Sequence, residues 1–347
     1  MDSGAGSMML MLRPIQSMEV LMHEFFSLLS SSSAPLVACA PLRGLRVFVA
    51  RGADAVGFLH GQLTNDVAKL APGEARFAGY CTASGRLLAT TVIWREAQSD
   101  GVVGLVRAGL LDGFVKRLGL FVLRAKVVWD KPDALVAGVT AGSEQLAELS
   151  AAAGIALPTT AWARVDGPTG TWIAAPHDAT ALRWWWVASD EQARIASATL
   201  APLMRLADES AWQAADLTEG LPWIDSATLE TFIPQTVNLD LVGGVNFTKG
   251  CYPGQEIVAR AHYLGKVKRR MALGHVELAT GEGLAGQDVF DAQSPDSPCG
   301  RIVDAAGTTR VVVLFETTLD ALEQPRLRLG SATGPVIEPA ALPYALA

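Results

Sequence analysis

The sequence predicts an α+β fold that ends in a small, separate β domain. Up to Lys266, strand-like and helix-like stretches follow one another without the regular alternation of a parallel α/β fold, which favours antiparallel sheet. After Lys266, short alternating apolar stretches are separated by Gly, Pro and Asp turns, as in a closed or nearly closed β domain. Because 347 residues exceed what one hydrophobic core normally organises, we expect two or three packed domains.

The first elements follow the Ser30–Ser33 run. Leu45–Val49 is typical of a strand, and Asp54 stands where it would cap the helix that comes next. Three further strands are predicted, separated by turn residues: Ala75–Cys81, Leu87–Trp94 and Val102–Val106.

The middle of the chain mixes both periodicities. Helical spacing is found at Leu110–Leu118 and Glu144–Ala153, whereas Phe121–Trp129, Thr171–Ala174 and Trp184–Val187 are rich in β-forming residues. Since neighbouring strand residues face opposite sides, we interpret the three consecutive tryptophans of the last stretch as packing residues and not as one binding platform. The C-terminal domain is predicted to contain strands at Arg270–Val276, Arg301–Ala305, Val311–Phe315 and Arg326–Gly330.

Composition excludes several classes of protein. A net charge of −7 and a pI near 5.3 argue against a broad basic face for nucleic acid, because phosphate neutralisation needs clustered Lys and Arg. The four cysteines lie far apart, so neither a structural zinc site nor a self-contained iron-sulfur cluster is expected, and no metal ligands are assigned.

No membrane or export segment is expected. The longest apolar runs, such as Val102–Leu123, are interrupted by charges and fall short of a spanning helix. The first residues lack the charged start, apolar core and cleavage site of a signal peptide, so we expect a disordered leader over 1–34 and a cytoplasmic protein.

The most informative segment is Phe247–Arg260, which has the character of a loop leading into a helix. Pro253 suits the first helical position, and Cys251 then lies just ahead of the helix N-terminus, two residues from Lys249. The positive field of that arrangement favours a thiolate and makes Cys251 a candidate reactive thiol. A buried cysteine at a tight domain junction is the alternative interpretation.

The string Lys-Gly-Cys-Tyr-x-Gly-Gln-Glu, residues 249–256, resembles the signature of the YgfZ-type folate-binding proteins, which are related to a mitochondrial iron-sulfur assembly factor and to the glycine-cleavage aminomethyltransferase. Residues 52–66 are similar to the opening of the same proteins. Further matching segments flank the signature: Gly220–Asp225, Phe232–Gln235, Asn238–Leu239, Ala259–Arg260, Gly265 and Lys268–Arg270.

The resemblance implies a three-domain ring of the aminomethyltransferase type, a GcvT-like cloverleaf, around a channel that holds tetrahydrofolate, with a C-terminal β-barrel. The expected divisions are the leader over 1–34, the N-terminal part of the folate-binding domain over 35–120, a ferredoxin-like α+β region over 121–200, the folate-binding region with the signature over 201–266, and the β-barrel over 267–347.

The resemblance also implies the site residues. Trp212 stands where family members place a tryptophan linked to folate, while Leu45 replaces a second aromatic residue found in some of them. Tyr252 and Gln255 are assigned to folate as well. Glu256 either pairs with the pterin edge or serves as an acid in the first helical turn. Arg260 either meets the folate tail or pairs with Glu256 one turn away.

The expected function is tetrahydrofolate binding that supports assembly or repair of iron-sulfur enzymes, including those that modify tRNA, with Lys249 and Cys251 in the functional loop. The aminomethyltransferases carry an aspartate where this chain has Ala89, Thr90 and Thr91, and neither a hydroxyl nor a methyl group replaces a carboxylate. The alternative is a folate-dependent one-carbon transferase or demethylase that uses another acid, Asp66 or Glu256.

Three other patterns are weaker indications of function. The basic residues Lys266, Lys268, Arg269 and Arg270 would serve polyglutamate or direct tRNA binding, or form the solvated side of a strand. Gly281–Gly286 has the spelling of a dinucleotide motif but lacks the helix that must follow it, so a turn is expected. His60 and His262 have no evident acid or metal-spaced partner in the sequence.

Overall fold

The computed structural model describes residues 23–31, 37–96, 99–178, 180–263, 267–323 and 326–346. Regular elements of the first stretch are α1 (Glu24–Ser27), β1 (Val37–Pro41), β2 (Leu45–Arg51), α2 (Ala55–His60), β3 (Ala75–Cys81), β4 (Leu87–Arg95), β5 (Val102–Arg107), α3 (Leu111–Gly119) and β6 (Val128–Asp130). The middle contains β7 (Leu135–Ala141), α4 (Leu146–Ala153), β8 (Arg164–Gly167), β9 (Gly170–Ala174), β10 (Leu182–Ala188), α5 (Asp190–Thr199), β11 (Met204–Leu206), α6 (Glu209–Thr218) and α7 (Gln255–Tyr263). The last part contains β12 (Arg269–Leu278), β13 (Asp288–Asp291), β14 (Gly300–Ala306), β15 (Thr309–Thr318), α8 (Leu319–Leu322), β16 (Leu327–Leu329) and β17 (Glu338–Ala340).

Three sheets organise these elements. The first has the strand order β3-β4-β5-β2-β6, and the second has the order β11-β1-β7-β10-β9-β8. The third, β16-β13-β14-β15-β12-β17, is antiparallel and curls into a half-barrel, where we expected a closed or nearly closed barrel. The predicted α+β class and the separate C-terminal β domain are confirmed.

Strand pairing crosses the expected division at residue 120. β1 lies in the second sheet, parallel to β11 and antiparallel to β7, although it comes from the N-terminal part. Conversely β6, from the stretch after 120, pairs with β2 in the first sheet. Only Val128–Asp130 of the predicted strand Phe121–Trp129 is extended, because the turn before it is fixed by backbone hydrogen bonds and Leu123 has a positive φ of 33°.

Part of the expected disordered leader is ordered. α1 buries Phe25 and Phe26, and the Phe25 ring meets Trp186 edge-on with 5.0 Å between centroids. The apolar area that these two side chains remove from water offsets the entropy of fixing the segment. Residues 1–22 and 32–34 of that expectation lie outside the described residues.

The three consecutive tryptophans of β10 confirm the alternation that the sequence predicts. Trp185 belongs to the core between the first two sheets, whereas Trp184 and Trp186 belong to the core under the helices of the second sheet. All three side chains are fully buried. They therefore join two hydrophobic cores through one strand.

Buried ion pairs hold the domains to one another. Asp216 of α6 accepts from Arg183 of β10 at 2.6 Å and from the indole of Trp223 at 3.2 Å. Burial raises the pKa of Asp216, and the Arg183 guanidinium opposes that rise. Arg107 of β5 bonds to Asp304 of β14, which ties the first sheet to the half-barrel.

The C-terminal segment returns to the middle of the chain. The Tyr344 hydroxyl donates to the carbonyl of Gly220 at 3.0 Å and accepts from the Asn238 amide at 3.4 Å. Asn238 also donates to the carbonyl of Met271 on β12 at 2.7 Å. None of the helices in the described ranges combines the length and the apolar composition of a membrane-spanning segment.

We expect Gly138→Ala to destabilise the protein by about 1–3 kcal/mol, because a methyl group there would lie 2.2 Å from the Trp212 ring, and the ring or strand β7 would have to shift. Gly113→Ala is the matched control, since nothing lies within 4 Å of its added methyl group in α3, and it should stabilise by about 0.5–1 kcal/mol. Urea unfolding of both variants measures the two changes. Equal stability of Gly138→Ala and wild type would contradict the packing described here.

Candidate functional site

The loop at residues 246–254, called the signature loop below, is seated against the β3–β4 hairpin turn. Gly254 has a positive φ of 80°, and a methyl group on it would lie 2.4 Å from the carbonyl oxygen of Thr82 and 2.6 Å from the Cα of Gly85. Gly85 in turn has a φ of 74° and lies against the side chain of Ile257. Two glycines in left-handed conformations thus allow the loop and the turn to touch through their backbones.

The helix after the signature loop starts two residues later than the sequence predicts. α7 begins at Gln255, whereas Pro253 lies in the preceding turn. The left-handed Gly254 interrupts helical geometry between them, so the expectation for Pro253 is wrong. Glu256 lies in the first turn of α7, as expected.

Lys249 is buried and points its ammonium group at the end of α2. Its side chain donates to the carbonyl of His60 and, at 3.0 Å, to that of Leu63, and its Nζ lies 4.8 Å from the centre of the Tyr252 ring. Only 8% of Lys249 is exposed. Burial lowers the pKa of Lys249 from 10.5 to about 8, against the opposing charges of Asp66 and Cys251.

Cys251 is exposed, which excludes the alternative of a cysteine buried at a domain junction. Cys39 and Cys81 are buried, and burial raises the pKa of each thiol. Cys299 is half-buried, and burial raises its pKa as well. The signature loop therefore presents the most accessible of the four thiols.

Asp66 lies beside the same end of α2 and is 3% exposed. Its Oδ1 accepts from the backbone of Lys69 at 3.0 Å and lies 3.2 Å from Nδ1 of His60. Burial alone would raise the pKa of Asp66, but the Lys69 amide and the charges of His60, Lys69 and Arg76 outweigh it, so the pKa is lowered. Asp66 is thus an ionised, nearly buried carboxylate.

His60 therefore does have an acid partner, and the expectation from the sequence is wrong on this point. Asp66 is six residues away, outside the one-turn spacing that brings helical side chains together. The chain turns back because Thr64 and Asn65 are bonded across to the backbone of Gly243 and Gly244. In the sequence, only the turn-forming residues Thr64, Asn65 and Asp66 indicated that the chain reverses direction here.

A cavity of about 370 Å³, called the Asp66 cavity, adjoins the signature loop. Its wall continues into that loop, because the Asn246 side chain accepts from the backbones of both Thr248 and Lys249 at 2.9 Å. Carboxylates, cations and aromatic rings face one another in it. The lining residues that matter are Asp66, Glu74, Lys69, Arg76, Phe77 and Trp162.

Trp212 lies in a different place from the signature loop. It lines a second cavity, of about 530 Å³, which shares no lining residue with the Asp66 cavity and is called the Trp212 cavity. The Arg183 guanidinium lies 4.0 Å from the centre of its ring, and Gly138 packs against the ring from β7. Leu45 is buried and lines a narrow void together with Trp212.

The remaining residues assigned to folate lie on or beside α7. Tyr252 is buried, Gln255 is half-buried, and Glu256 and Arg260 are exposed. Within the described part of the chain, no ion pair joins Glu256 to Arg260. The pairing of Arg260 with Glu256 is therefore not found. Glu256 remains either a first-turn acid or a contact for the pterin edge, and contact with the folate tail remains for Arg260.

Thr90 and Thr91 lie on β4, where the resemblance leads us to expect the position of the aminomethyltransferase aspartate. The Thr90 hydroxyl donates to the carbonyl of Pro222 at 2.9 Å and accepts from the amide of Ile224 at 3.0 Å. Thr91 donates to the carbonyl of Leu105 at 2.7 Å. Both hydroxyls are thus hydrogen-bonded to backbone groups around β4, and neither is ionisable near neutral pH.

The basic residues after α7 lie in different environments. Arg269 pairs with Glu316, and the buried Arg270 pairs with Asp240 at 2.8 Å. Lys268 is exposed, and Lys266 lies outside the described residues. Arg270 is thus neutralised inside the protein, whereas the paired Arg269 keeps 38% of its side chain exposed.

Comparison with known proteins gives a consistent picture. No protein-family model matches the chain. A curated relative named tRNA-modifying protein YgfZ, from Yersinia pseudotuberculosis serotype IB (strain PB1/+), is 32% identical over 326 residues, which cover 92% of this chain and 95% of the relative. A relative of the same name from Yersinia enterocolitica serotype O:8 / biotype 1B is 31% identical over 333 residues, covering 92% of this chain and 96% of the relative.

Among solved structures, the glycine cleavage system aminomethyltransferase T from Bartonella henselae is similar, with a TM-score of 0.71 and 13% sequence identity. The match covers 92% of this chain and 88% of that chain. At this identity the likeness shows the fold, and it confirms the aminomethyltransferase-type architecture that the sequence predicts.

The buried ammonium of Lys249 should make stability depend on pH. Between pH 8 and 10.5 the unfolded chain retains the lysine proton while the folded chain releases it, so the free energy of unfolding rises with pH. We expect wild type to gain stability over Lys249→Met between about pH 7 and 9.5. Urea unfolding at both pH values measures this, with the exposed Lys126→Met as control. A constant difference between wild type and Lys249→Met would contradict the buried charge.

Proposed function

Because the chain belongs to the family of the tRNA-modifying protein YgfZ, we propose that it binds tetrahydrofolate and supports the assembly or repair of iron-sulfur enzymes, including those that modify tRNA. The signature loop, with Lys249 and Cys251, is the functional part in this proposal. Its partners are a reduced folate and iron-sulfur enzymes or their assembly factors.

The Asp66 cavity next to the signature loop is the observation that carries the proposal. Its volume of about 370 Å³ lies within the range of small-molecule sites. A pterin offers a flat ring and an edge of N–H donors, and a folate tail carries carboxylates. The cavity has a counterpart for each of these groups, and its wall continues into the loop that holds Cys251.

Asp66 is the residue that we assign to the pterin edge. It is ionised and nearly buried, and a carboxylate accepts two parallel N–H bonds from an amino group and the adjacent ring nitrogen. Lys69, 82% exposed at its side chain, stands at the rim where a tail carboxylate would meet it. Phe77 and Trp162, stacked with 6.0 Å between centroids, supply the apolar wall.

The hydroxyl groups of Thr90 and Thr91 argue against aminomethyl transfer as the function. That reaction needs a carboxylate where the hydroxyls stand, and each hydroxyl is bonded to backbone. A role in which folate is bound without such a transfer fits these residues better.

Isothermal titration calorimetry with tetrahydrofolate and its 5-formyl derivative tests the assignment. We expect Asp66→Asn, which keeps the shape and the Lys69 hydrogen bond, to weaken binding about ten- to hundredfold, because a neutral amide loses the charge-assisted bonds. Trp212→Phe, in the Trp212 cavity, is the matched comparison and should change the Kd little.

The opposite result of the titrations would place folate in the other cavity. If Trp212→Phe removes binding and Asp66→Asn retains it, folate occupies the Trp212 cavity, as the resemblance alone implies, and Asp66 has no part in it. If neither the wild type nor any variant binds a reduced folate, the proposed ligand is wrong.

A folate-dependent one-carbon transferase or demethylase is the second candidate. The ionised carboxylate of Asp66 favours it, since such chemistry requires an acid or base that lines the ligand cavity. Turnover of a methylated amine by the pure protein with tetrahydrofolate would distinguish this candidate from a binding role.

Complementation of a strain that lacks its own protein of this family tests the signature loop. We expect Cys251→Ala and Lys249→Ala to lose most of the restored iron-sulfur enzyme activity, because the first removes the exposed thiol and the second leaves two buried carbonyls without their donor. Cys299→Ala, which removes a half-buried thiol of the half-barrel, is the control and should complement fully. Full complementation by Cys251→Ala would refute the proposed role of the loop.

A further inference from the structure

A further cavity, of about 420 Å³, lies between the β3–β4 hairpin and the half-barrel, and the proposed function does not use it. It shares no lining residue with the Asp66 cavity or the Trp212 cavity and is called the arginine cavity. The charged residues that line it are Arg86, Arg269, Arg301, Asp288 and Glu316. Three arginines against two carboxylates leave the cavity with one excess positive charge.

Four of these charges form a row across the half-barrel. Arg301 of β14 lies directly opposite Asp288 of β13 on one side and Glu316 of β15 on the other. Residues that are directly opposite one another in an antiparallel pair share a face of the sheet. Arg269 of β12 continues the row, since its Nη2 donates to a carboxylate oxygen of Glu316 at 2.7 Å. The row thus alternates in sign, and its charges cancel.

The two arginines of the row use the same edge of their guanidinium groups for these pairs. Arg269 bonds to Glu316 through Nε and Nη2, and Arg301 bonds to Asp288 through Nε at 3.1 Å and Nη2 at 2.9 Å. Within the described ranges, neither Nη1 group has a hydrogen-bond partner, so each arginine keeps two N–H donors. The side chains of Arg269 and Arg301 remain 38% and 44% exposed.

Arg86 presents the opposite edge. It is exposed and follows Gly85, which packs against the signature loop. Its Nη1 donates to the carbonyl of Thr231, and in the described part of the chain nothing bonds to its Nε or Nη2. These two N–H groups form the edge that binds an oxyanion through two parallel hydrogen bonds. Since no described carboxylate pairs with Arg86, its charge is the one that the row leaves uncompensated.

We propose that the arginine cavity binds the phosphate group of a small phosphate monoester. Arg86 donates to two phosphate oxygens through its free edge, and the Nη1 groups of Arg269 and Arg301 donate to the phosphate from the half-barrel. The hydroxyls of Thr231 and Thr236 line the same cavity and can accept hydrogen bonds from the organic part of the ligand. The site holds this ligand without making or breaking a covalent bond.

The charge of the cavity favours one phosphate group over a nucleic-acid backbone. A single dianion compensates the excess positive charge, whereas a run of phosphates would also meet the carboxylates of Asp288 and Glu316. The net charge of −7 on the chain opposes a polyanion as well, because the binding of nucleic acid depends on many cations. The volume of about 420 Å³ lies within the range of small-molecule sites.

Isothermal titration calorimetry of the full chain with inorganic phosphate and with glycerol 3-phosphate, at constant ionic strength, tests the proposal. We expect both compounds to bind saturably and glycerol not to bind. Arg86→Gln should raise both Kd values about tenfold or more, because a neutral amide lacks the charged fork. Arg86→Lys should recover part of the affinity, since it keeps the charge but not the two parallel donors.

Two controls separate a built site from general attraction to cations. Arg194→Gln removes an exposed arginine of α5 that does not line the cavity, and it should bind both compounds as wild type does. The affinity of wild type should be several-fold lower at about pH 5.5 than at about pH 7.5. A phosphate monoester loses its second charge below a pKa of about 6, while the arginines stay protonated.

The proposal is overturned if wild type binds neither compound, if Arg86→Gln binds them as wild type does, or if Arg194→Gln is weakened to the same extent. Retention of tRNA that depends on Arg86, without binding of either small compound, would also overturn it and indicate a nucleic-acid site. Displacement of glycerol 3-phosphate by tetrahydrofolate would refute a separate site. Arg86→Gln should bind tetrahydrofolate as wild type does, so failure of this inference is distinguishable from failure of the proposed function.

Discussion

The arrangement of the site depends on one buried cation. The Lys249 ammonium binds the carbonyls of His60 and Leu63 at the end of α2 and so joins the signature loop to the first helix of the N-terminal part. Through that contact Cys251, His60 and Asp66, which come from segments about 190 residues apart in the chain, are brought to one place. A cation is suited to this task because two carbonyl dipoles and the Asp66 charge compensate its desolvation.

Buried arginines form ion pairs in other parts of the protein. Arg107, Arg183 and Arg270 are each buried and paired with a carboxylate from another element, so they fix how the sheets and α6 meet. Removing one partner of such a pair would leave an uncompensated charge, which is costly. Each of these arginines is buried together with its carboxylate partner, so the three pairs are neutral and the net charge of −7 comes from the rest of the chain.

Local patterns predicted most of the strands and the opposite facing of Trp184 and Trp185, because each depends on spacing of two to four residues. The signature loop was singled out by resemblance, and its functional role stays a prediction. The His60–Asp66 pair escaped prediction, since it depends on Thr64 and Asn65 bonding to Gly243 and Gly244, far along the chain. The start of α7 was misplaced for a similar reason. The left-handed Gly254 is required by contact with the distant β3–β4 turn, which overrides the preference of Pro253.

The contact of Tyr344 with Gly220 and Asn238 has a consequence for synthesis on the ribosome. Translation proceeds from the N-terminus, so the signature loop and both cavities leave the ribosome before the segment that braces the residues around Asn238. The nascent chain must therefore pass through a period in which these residues are made but lack their final support. Loading of a ligand in that interval would act on a looser pocket than the one in the finished protein.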